Sequence, residues 1–310
     1  MDDAEPLVAG IELGGTKSVA LIARGSTIVA QLRFPTADPA TTLEAIGDAL
    51  ARWRAAEPFE AIGIGSFGPL GLDPARPDFG TITTTPKPGW AGTDIRGYFA
   101  RRFGMPIGFD TDVAGAALAE GRWGAAIGCR VHVYLTIGTG IGGGVMVDGR
   151  PVHGLIHPEL GHVRTRRMAG DDFPGICPYH GDCLEGLCSG PAIAARAGAP
   201  AAKIGAHDPA WEPVAAALAE LMAMLILTLS PERILIGGGV GIGQPQLLPM
   251  IRAGTAEILG GYVAGITAER LEEMIRAPGL GELAGPLGAV ALGLESLGWN
   301  RTPAQAGVQI

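Results

Sequence analysis

Short apolar runs alternate with amphipathic segments along most of the chain. Runs rich in β-branched residues are typical of buried strands, whereas apolar residues spaced three or four apart predict helices that face a core. The first pattern predicts strands at residues 7–13, 18–23, 28–34, 61–66, 106–109, 131–137, 145–147 and 234–236. The second predicts helices at residues 41–53, 94–103, 113–123, 186–197, 213–229, 246–259 and 289–297, with Thr41 as a candidate N-cap and residues 300–310 as a frayed tail.

One arrangement of these elements occurs twice. In both halves an apolar strand leads into a glycine-rich turn and a second strand follows at once; the turns are GGTK at residues 14–17 and GTGIGGG at residues 138–144. Helices and strands alternate after each copy, so the pattern predicts a duplicated α/β unit. Two such lobes facing one another would form a cleft, and clefts at domain interfaces are common ligand sites.

Composition and charge narrow the class of protein. A chain of 310 residues with 47% apolar residues can build one large domain or two ordinary ones around a full core. The 23 Lys and Arg against 31 Asp and Glu give a net charge of −8. No basic stripe is visible, so we expect no nucleic acid as a partner.

Targeting and membrane segments are not expected either. The opening MDDAEPLVAG is acidic and lacks the basic and apolar regions of a signal peptide, and the apolar run at residues 221–230 is too short to span a bilayer. Two of the four cysteines lie in a metal-like cluster, which favours a reducing cytoplasm over a disulfide framework. The sequence therefore predicts a cytoplasmic protein without a membrane partner.

The glycine-rich turns are candidates for phosphate binding. Backbone N–H groups in such turns can converge on phosphate oxygens, Lys17 would meet phosphate charge, and Thr16 and Thr139 would donate hydroxyl hydrogen bonds. The pattern is neither a P-loop nor a Rossmann fingerprint, and a single turn of this kind can be only a turn. The matching positions in the repeat, with a third run at Gly237, Gly238 and Gly239, favour a nucleotide phosphate.

A second candidate site lies in HPELGHVRTRRMAGDDFPGICPYHGDC, at residues 157–183. Cys177, His180 and Cys183 follow one another at intervals of three, and His162 lies upstream. Two Cys and two His form the ligand set of tetrahedral zinc, and four filled positions indicate a structural site. The alternative is a buried cysteine pair with surface histidines.

Several segments carry a family resemblance. The chain resembles the ROK family of sugar kinases and sugar-sensing repressors in GIELGGTKSVALIA, GIGSFGPLGLD, FDTDVAGAALAEGRWG, LTIGTGIGGGVMVDGR, HPELGHV and CPYHGDCLEGLCSGPAI. TITTTPKPGWAGTDI and CPYHGDCLEG resemble, more narrowly, the bacterial fructokinases of that family. The resemblance implies the two-lobed actin-like ATPase or sugar kinase fold, with a cleft between the lobes. We expect an N-terminal lobe at residues 1–115, joined by a C-terminal helix at about residues 289–310, and a C-terminal lobe at residues 116–288.

The resemblance also implies roles for particular residues. It assigns the catalytic general base to Asp112, for which helix capping is a compatible alternative role. Glu12 stands where most ROK kinases have Asp and is expected on the phosphate or magnesium side. His162 is implied as a zinc ligand, and Glu185 has the alternative of a carboxylate facing a helix dipole. The residues implied to bind sugar are Gly68, Glu159, His162 and Glu185; those implied to bind nucleotide are Gly14, Gly15, Thr16, Lys17, Thr139, Pro191, Gly237, Gly238 and Gly239.

These features predict an ATP-dependent hexose kinase that uses Mg²⁺ and holds a structural Zn²⁺. The fructokinase-like segments favour D-fructose as the substrate, which would be converted to fructose 6-phosphate. The resemblance also implies a homodimer, since members of the family commonly form dimers. Glucose, mannose and N-acetylmannosamine are alternative substrates. A sugar-sensing regulator is a different alternative, but the family core begins within ten residues of Met1, which leaves no room for a helix-turn-helix. A non-catalytic sugar-binding protein is the third alternative, and the presence of Asp112 argues against it.

Overall fold

The structure is a computed structural model, and it describes residues 5–299. The tail predicted at residues 300–310 lies outside the described residues. Ten strands are present in this part of the chain: β1 Leu7–Leu13, β2 Lys17–Arg24, β3 Thr27–Pro35, β4 Ala61–Ser66, β5 Ile107–Thr111, β6 Val131–Ile137, β7 Ile141–Val147, β8 Arg150–Pro151, β9 Arg233–Gly237 and β10 Ile275–Arg276.

The same residues form ten α-helices. They are α1 Pro39–Ala56, α2 Ile95–Phe103, α3 Asp112–Trp123, α4 Leu184–Cys188, α5 Gly190–Ala197, α6 Trp211–Leu229, α7 Gly238–Gly243, α8 Leu247–Leu259, α9 Ala268–Met274 and α10 Ala284–Ser296. Short 3₁₀ turns lie at Leu160–His162, Ala201–Lys203 and Gly281–Leu283.

The chain folds into two compact units. Of the described residues, the first contains those up to Gly128, the segment Arg150–His157 and those from Leu283, and the second contains Cys129–Gly149 and Pro158–Glu282. These boundaries differ from the expected ones at residues 115 and 288. Helix α3 packs against α10 and β4 of the first sheet, so the whole of α3 stays with the first unit, as does the return segment that begins with β8.

The first unit is built on a sheet of order β3-β2-β1-β4-β5, antiparallel through β1 and parallel from β1 to β5. Helix α10 lies directly on this sheet. A Cβ on Gly63 would stand 1.7 Å from the carbonyl oxygen of Ala289, and one on Gly108 would stand 2.0 Å from that of Leu292. Glycine in the buried strands therefore lets helix and sheet backbones approach closely.

The second unit is built on a sheet in which β10, β9, β6 and β7 follow one another. Strand β6 pairs antiparallel with β7 and parallel with β9, as β1 does with β2 and β4 in the first unit. The expected repeat of a hairpin followed by parallel strands is therefore present in both units. Helix α6 is long and apolar enough to cross a membrane by length and composition, but 56% of that stretch is buried, as in a core helix.

Four local expectations differ from the structure. Asp38 caps α1 by accepting from the Thr41 amide at 2.9 Å, because Pro39 fits the first turn of a helix and moves its start upstream of Thr41. The helix expected at residues 186–197 is two helices separated by Ser189, which caps the second. Three glycines expected in the second turn, at residues 142–144, lie in β7. No helix was predicted between residues 236 and 246, but the glycine run from Gly238 opens α7.

Candidate active site and metal-binding cluster

The first glycine-rich turn is anchored at its base and open at its tip. The Gly14 amide donates to the Lys17 carbonyl at 3.1 Å, and the Thr36 hydroxyl donates to the Gly14 carbonyl at 2.8 Å. Gly15, Thr16 and Lys17 are exposed, and a Cβ on Gly15 would meet nothing within 4 Å. Backbone amides held in this way can approach an anion closely.

Lys87 stabilises the same turn, and sequence reasoning missed it. Its ammonium group donates to the carbonyls of Gly15 at 2.7 Å and Thr36 at 3.0 Å. The sequence did offer a hint that Lys87 belongs to the site, since Lys87 lies in the TITTTPKPGWAGTDI segment that carries the fructokinase resemblance. A pattern cannot reveal the contact, because Lys87 and Gly15 are far apart in the chain.

Asp112 is the first residue of α3, directly after β5. Thr111 is the N-cap, because its hydroxyl accepts from the Ala114 amide at 3.1 Å, and the capping alternative for Asp112 is therefore wrong. One oxygen of Asp112 accepts from the Val113 amide at 2.9 Å. Burial of the Asp112 carboxyl raises its pKa to about 6. A carboxylate with a pKa near the working pH is suited to accept a proton.

Glu12 lies beside Asp112. Glu12 is paired in register with Gly65 of β4, and a Cβ on Gly65 would stand 3.2 Å from the Asp112 Cα. Burial and, to a lesser extent, the charge of Asp112 together raise the pKa of Glu12 to about 7. Gly285, in the first turn of α10, leaves room for the Glu12 carboxylate, since a Cβ there would stand 2.0 Å from its oxygen. Two adjacent carboxylates suit a hard cation such as Mg²⁺.

Two histidines of the segment Arg150–His157 were not predicted from the sequence as part of the site. His153 Nε2 lies 2.7 Å from a carboxylate oxygen of buried Asp110, and this hydrogen bond raises the pKa of His153. The Leu70 amide donates to Nε2 of buried His157 at 3.0 Å. A Cβ on Gly68 would stand 3.3 Å from the His157 ring, so this ring closes one side of the Gly68 loop. With residues 69–73, both histidines line a cavity of about 430 Å³.

In the second unit, the tip of the second turn lies at residues 138–140, between β6 and β7. Thr139 is at its centre. The Gly138 amide donates to the Gly140 carbonyl at 2.9 Å, and the Gly190 amide donates to the Gly138 carbonyl at 2.7 Å. Pro191 is exposed in the first turn of α5. The start of α5 is thus tied to the turn that carries Thr139.

The third glycine run forms the junction of β9 and α7. Gly238 has a φ of +79°, and a Cβ there would stand 2.4 Å from the Ile137 carbonyl oxygen. A Cβ on Gly237 would stand 2.3 Å from the Tyr134 hydroxyl oxygen, whereas one on Gly239 would meet nothing within 4 Å. Gly237 and Gly238 are therefore needed for packing, and only Gly239 faces open space.

The four predicted metal ligands converge. The ligand atoms of His162, Cys177, His180 and Cys183 all lie within 4.8 Å of one another. The His162 Nδ1 lies 3.8 Å from the Cys177 sulfur and 3.5 Å from the Cys183 sulfur, and the His180 Nδ1 lies 3.7 Å from the Cys177 sulfur. Tetrahedral zinc with ordinary Zn–N and Zn–S bonds would separate such atoms by about 3.6 Å.

The surrounding backbone holds these ligands in place. Cys177 and Gly181 exchange two backbone hydrogen bonds, at 2.9 and 3.1 Å, so the chain turns tightly between the first cysteine and the second. His162 ends the 3₁₀ turn that Glu159 precedes, and the His162 amide donates to the Glu159 carbonyl at 3.0 Å. The donor set and its spacing fit one structural zinc ion.

Glu185 lies in the first turn of α4, two residues after Cys183. Its Oε2 accepts from the amide of Ile141 at 2.9 Å, at the start of β7. The carboxylate is thus connected to the second glycine-rich turn. This hydrogen bond explains the position of the Glu185 carboxylate without the alternative role of facing a helix dipole.

The two sheets and their flanking helices define the two-lobed, actin-like sugar kinase class of α/β folds, as predicted. A solved ROK hexokinase from Thermus thermophilus has this fold, with a TM-score of 0.76 and 28% identity, covering 94% of this chain and 99% of that one. A ROK family glucokinase from Streptomyces griseus, solved with glucose and AMPPNP, has a TM-score of 0.74 at 24% identity, covering 93% of this chain and 99% of that one.

The chain belongs to the ROK family, whose model matches residues 8–296. This confirms the resemblance given by the sequence motifs. The chain is 45% identical to a fructokinase from Zymomonas mobilis, covering 95% of this chain and 98% of the relative. It is 40% identical to a fructokinase from Pediococcus pentosaceus, covering 94% of this chain and 99% of the relative.

Proposed function

We propose that this protein transfers the γ-phosphoryl group of ATP to a hexose, with D-fructose as the preferred acceptor and fructose 6-phosphate as the product. Full-length similarity to several fructokinases supports the choice of sugar. The observation that carries the reaction type is the half-buried carboxylate of Asp112, which has a raised pKa and lies beside Glu12, directly after a strand. Phosphoryl transfer to a hydroxyl requires a positioned carboxylate of this kind.

Each residue then has a defined task. Asp112 accepts the proton of the attacking sugar hydroxyl, and its raised pKa makes the carboxylate basic enough while leaving it ionised near neutral pH. The Gly15 amide, with Thr16 and Lys17, binds phosphate oxygens, while the Gly14 amide shapes the turn through its hydrogen bond to the Lys17 carbonyl. Glu12 would hold Mg²⁺, which supplies charge neutralisation on the phosphates when bound.

The second unit supplies the remaining proposed contacts. Thr139 binds phosphate, while Pro191 and the run from Gly237 to Gly239 border the adenosine. Glu159, His162 and Glu185 accompany Gly68 in sugar recognition. A structural Zn²⁺ held by His162, Cys177, His180 and Cys183 would fix the loop that carries Glu159 and Glu185. A homodimer and a cytoplasmic location belong to the same proposal.

A hexose panel tests the proposal. ADP release should be measured with fructose, glucose, mannose and N-acetylmannosamine, and kcat/KM should be highest for fructose. A site built from hydroxyl hydrogen bonds discriminates strongly, because a mismatched sugar leaves buried polar groups without partners. A clear preference for glucose would reject fructose as the substrate but keep the kinase, whereas ADP release with none of the sugars would reject both.

The nucleotide assignment is tested at Gly239. A Cβ at this position meets nothing within 4 Å, so we expect Gly239→Val to raise KM for ATP about tenfold or more by obstructing the adenosine. The KM for sugar should change little. Gly238→Val is unsuitable, because its side chain would collide with β6 and destabilise the fold. The control is Gly205→Ala, at an exposed glycine whose Cβ also meets nothing within 4 Å. An increase confined to the sugar KM would contradict the assignment.

A further inference from the structure

The second glycine-rich turn has a side-chain anchor. Oε2 of Glu185 accepts from the Ile141 amide at 2.9 Å, and Ile141 follows the turn immediately. A Cβ on Gly140 would stand 2.6 Å from the same oxygen, so the carboxylate packs directly against the turn. An N–H to carboxylate hydrogen bond is stronger than one between neutral groups.

Helix α4 has little freedom to move away from the turn. The Ile176 amide donates to the Gly186 carbonyl at 3.0 Å, and a Cβ on Gly186 would stand 1.9 Å from the Gly181 carbonyl oxygen. Glu185 is therefore attached to the same backbone that carries Cys177 and Cys183. The Ser189 amide donates to the Glu185 carbonyl at 3.0 Å and leads into α5.

We propose that Glu185 is a positioning residue for the phosphate-binding turn, in addition to any contact with sugar, so that it supports nucleotide binding when no sugar is bound. The proposal rests on the proposed function, since it takes Thr139 as a phosphate ligand. The turn is held from two directions, by the Gly190 amide on the Gly138 carbonyl and by the Glu185 carboxylate on the Ile141 amide. Loss of the second anchor frees the turn on the side of β7.

The contribution is geometric rather than electrostatic. A negative charge next to a phosphate-binding turn repels phosphate, so a carboxylate placed there favours the nucleotide only by fixing the backbone. A glutamine has the same length and retains an oxygen that can accept from the Ile141 amide. Glu185→Gln should therefore keep the turn in place, whereas Glu185→Ala removes the acceptor.

The test is an isothermal calorimetric titration of the protein with AMPPNP in the presence of Mg²⁺ and without sugar. We expect Glu185→Ala to raise the Kd about tenfold, because a partly buried amide loses its acceptor. Glu185→Gln should stay within about twofold of the wild type. Gly140→Ala leaves residue 185 as glutamate but adds a methyl group that would displace the Glu185 carboxylate from the turn. This variant should therefore weaken AMPPNP binding as well. Gly205→Ala should bind as the wild type does. Zinc content and Tm of every variant show whether the fold is intact.

Two outcomes would overturn the proposal. Equal Kd values for wild type and Glu185→Ala, with a raised KM for sugar only, would make Glu185 a sugar ligand alone. Equal weakening by Gln and Ala would mean that the charge, not the acceptor, is required. If Glu185→Ala fails to fold, Gly140→Ala decides, and unchanged AMPPNP binding by that variant rejects the proposal. A wild type that binds no AMPPNP at all would instead reject the proposed function.

Discussion

Asp112→Asn is expected to lower kcat by about 10²–10⁴-fold, the range typical of a lost general base. The amide of Asn has the same shape and can still accept from the Val113 amide, as Asp112 does at 2.9 Å. It cannot accept the proton of the sugar hydroxyl. The Kd for nucleotide should remain close to that of the wild type. The control is Asp208→Asn, at a loop residue outside the proposed site whose oxygen accepts from the Ala210 amide at 2.9 Å.

The pH profile gives an independent reading of the same residue. The pKa of Asp112 is raised to about 6, and the base works only when ionised. The value of kcat should therefore be highest above this pKa and fall about tenfold per pH unit below it. The neighbouring Glu12, with a pKa of about 7, titrates as part of the same pair, so the midpoint belongs to both carboxylates. A kcat for Asp112→Asn close to that of wild type, with the same acid limb, would contradict the assignment.

Cys177→Ser is expected to lower both metal content and Tm. Purified wild type should contain about one zinc per chain, because the four ligand atoms already lie within 4.8 Å of one another. Structural zinc binding is worth about 10–16 kcal/mol in small zinc-finger peptides. Loss of even several kcal/mol should lower the Tm by roughly 10 °C in a chain of this size.

The metal prediction has a matched control in the chain. Cys129→Ser changes a half-buried cysteine that is not among the four ligands, and this variant should keep its zinc. The measurements are elemental analysis and thermal unfolding, with protein prepared without chelator. Absence of metal from the wild type, or equal metal content in the two variants, would reject the zinc site. The cluster would then be the alternative, a buried cysteine pair with surface histidines.

The sequence predicts the elements better than their ends. Apolar runs locate the strands because β1 and β4 are buried along almost their whole length. Helix starts are harder, since Asp38 and Thr41 are both good caps and only Pro39 distinguishes them. The glycines of β7 look like a turn from sequence, but a Cβ on Gly143 would stand 2.4 Å from a Leu160 methyl group. Glycine there allows close packing of a distant segment, which local patterns do not encode.

The candidate site divides in the same way. Ligands close together in sequence, such as Cys177, His180 and Cys183, can be recognised from spacing alone. The pairing of Glu12 with Asp112 depends on strand register, and the hydrogen bonds of Lys87 to the first turn depend on a long loop. These contacts join residues that no local pattern connects, so only the structure reveals them.

The most direct test of the proposed function follows the fate of the phosphoryl group. The protein is incubated with fructose, ATP and Mg²⁺, and the product is assayed by NADPH formation through glucose 6-phosphate dehydrogenase, with and without phosphoglucose isomerase. Fructose 6-phosphate must be isomerised before the dehydrogenase can oxidise it, so we expect a signal only when the isomerase is present. It should scale with ADP release and be lost in Asp112→Asn. Two results would contradict the proposed function: ADP formation in the presence of fructose without any isomerase-dependent NADPH, or no ADP formation above background.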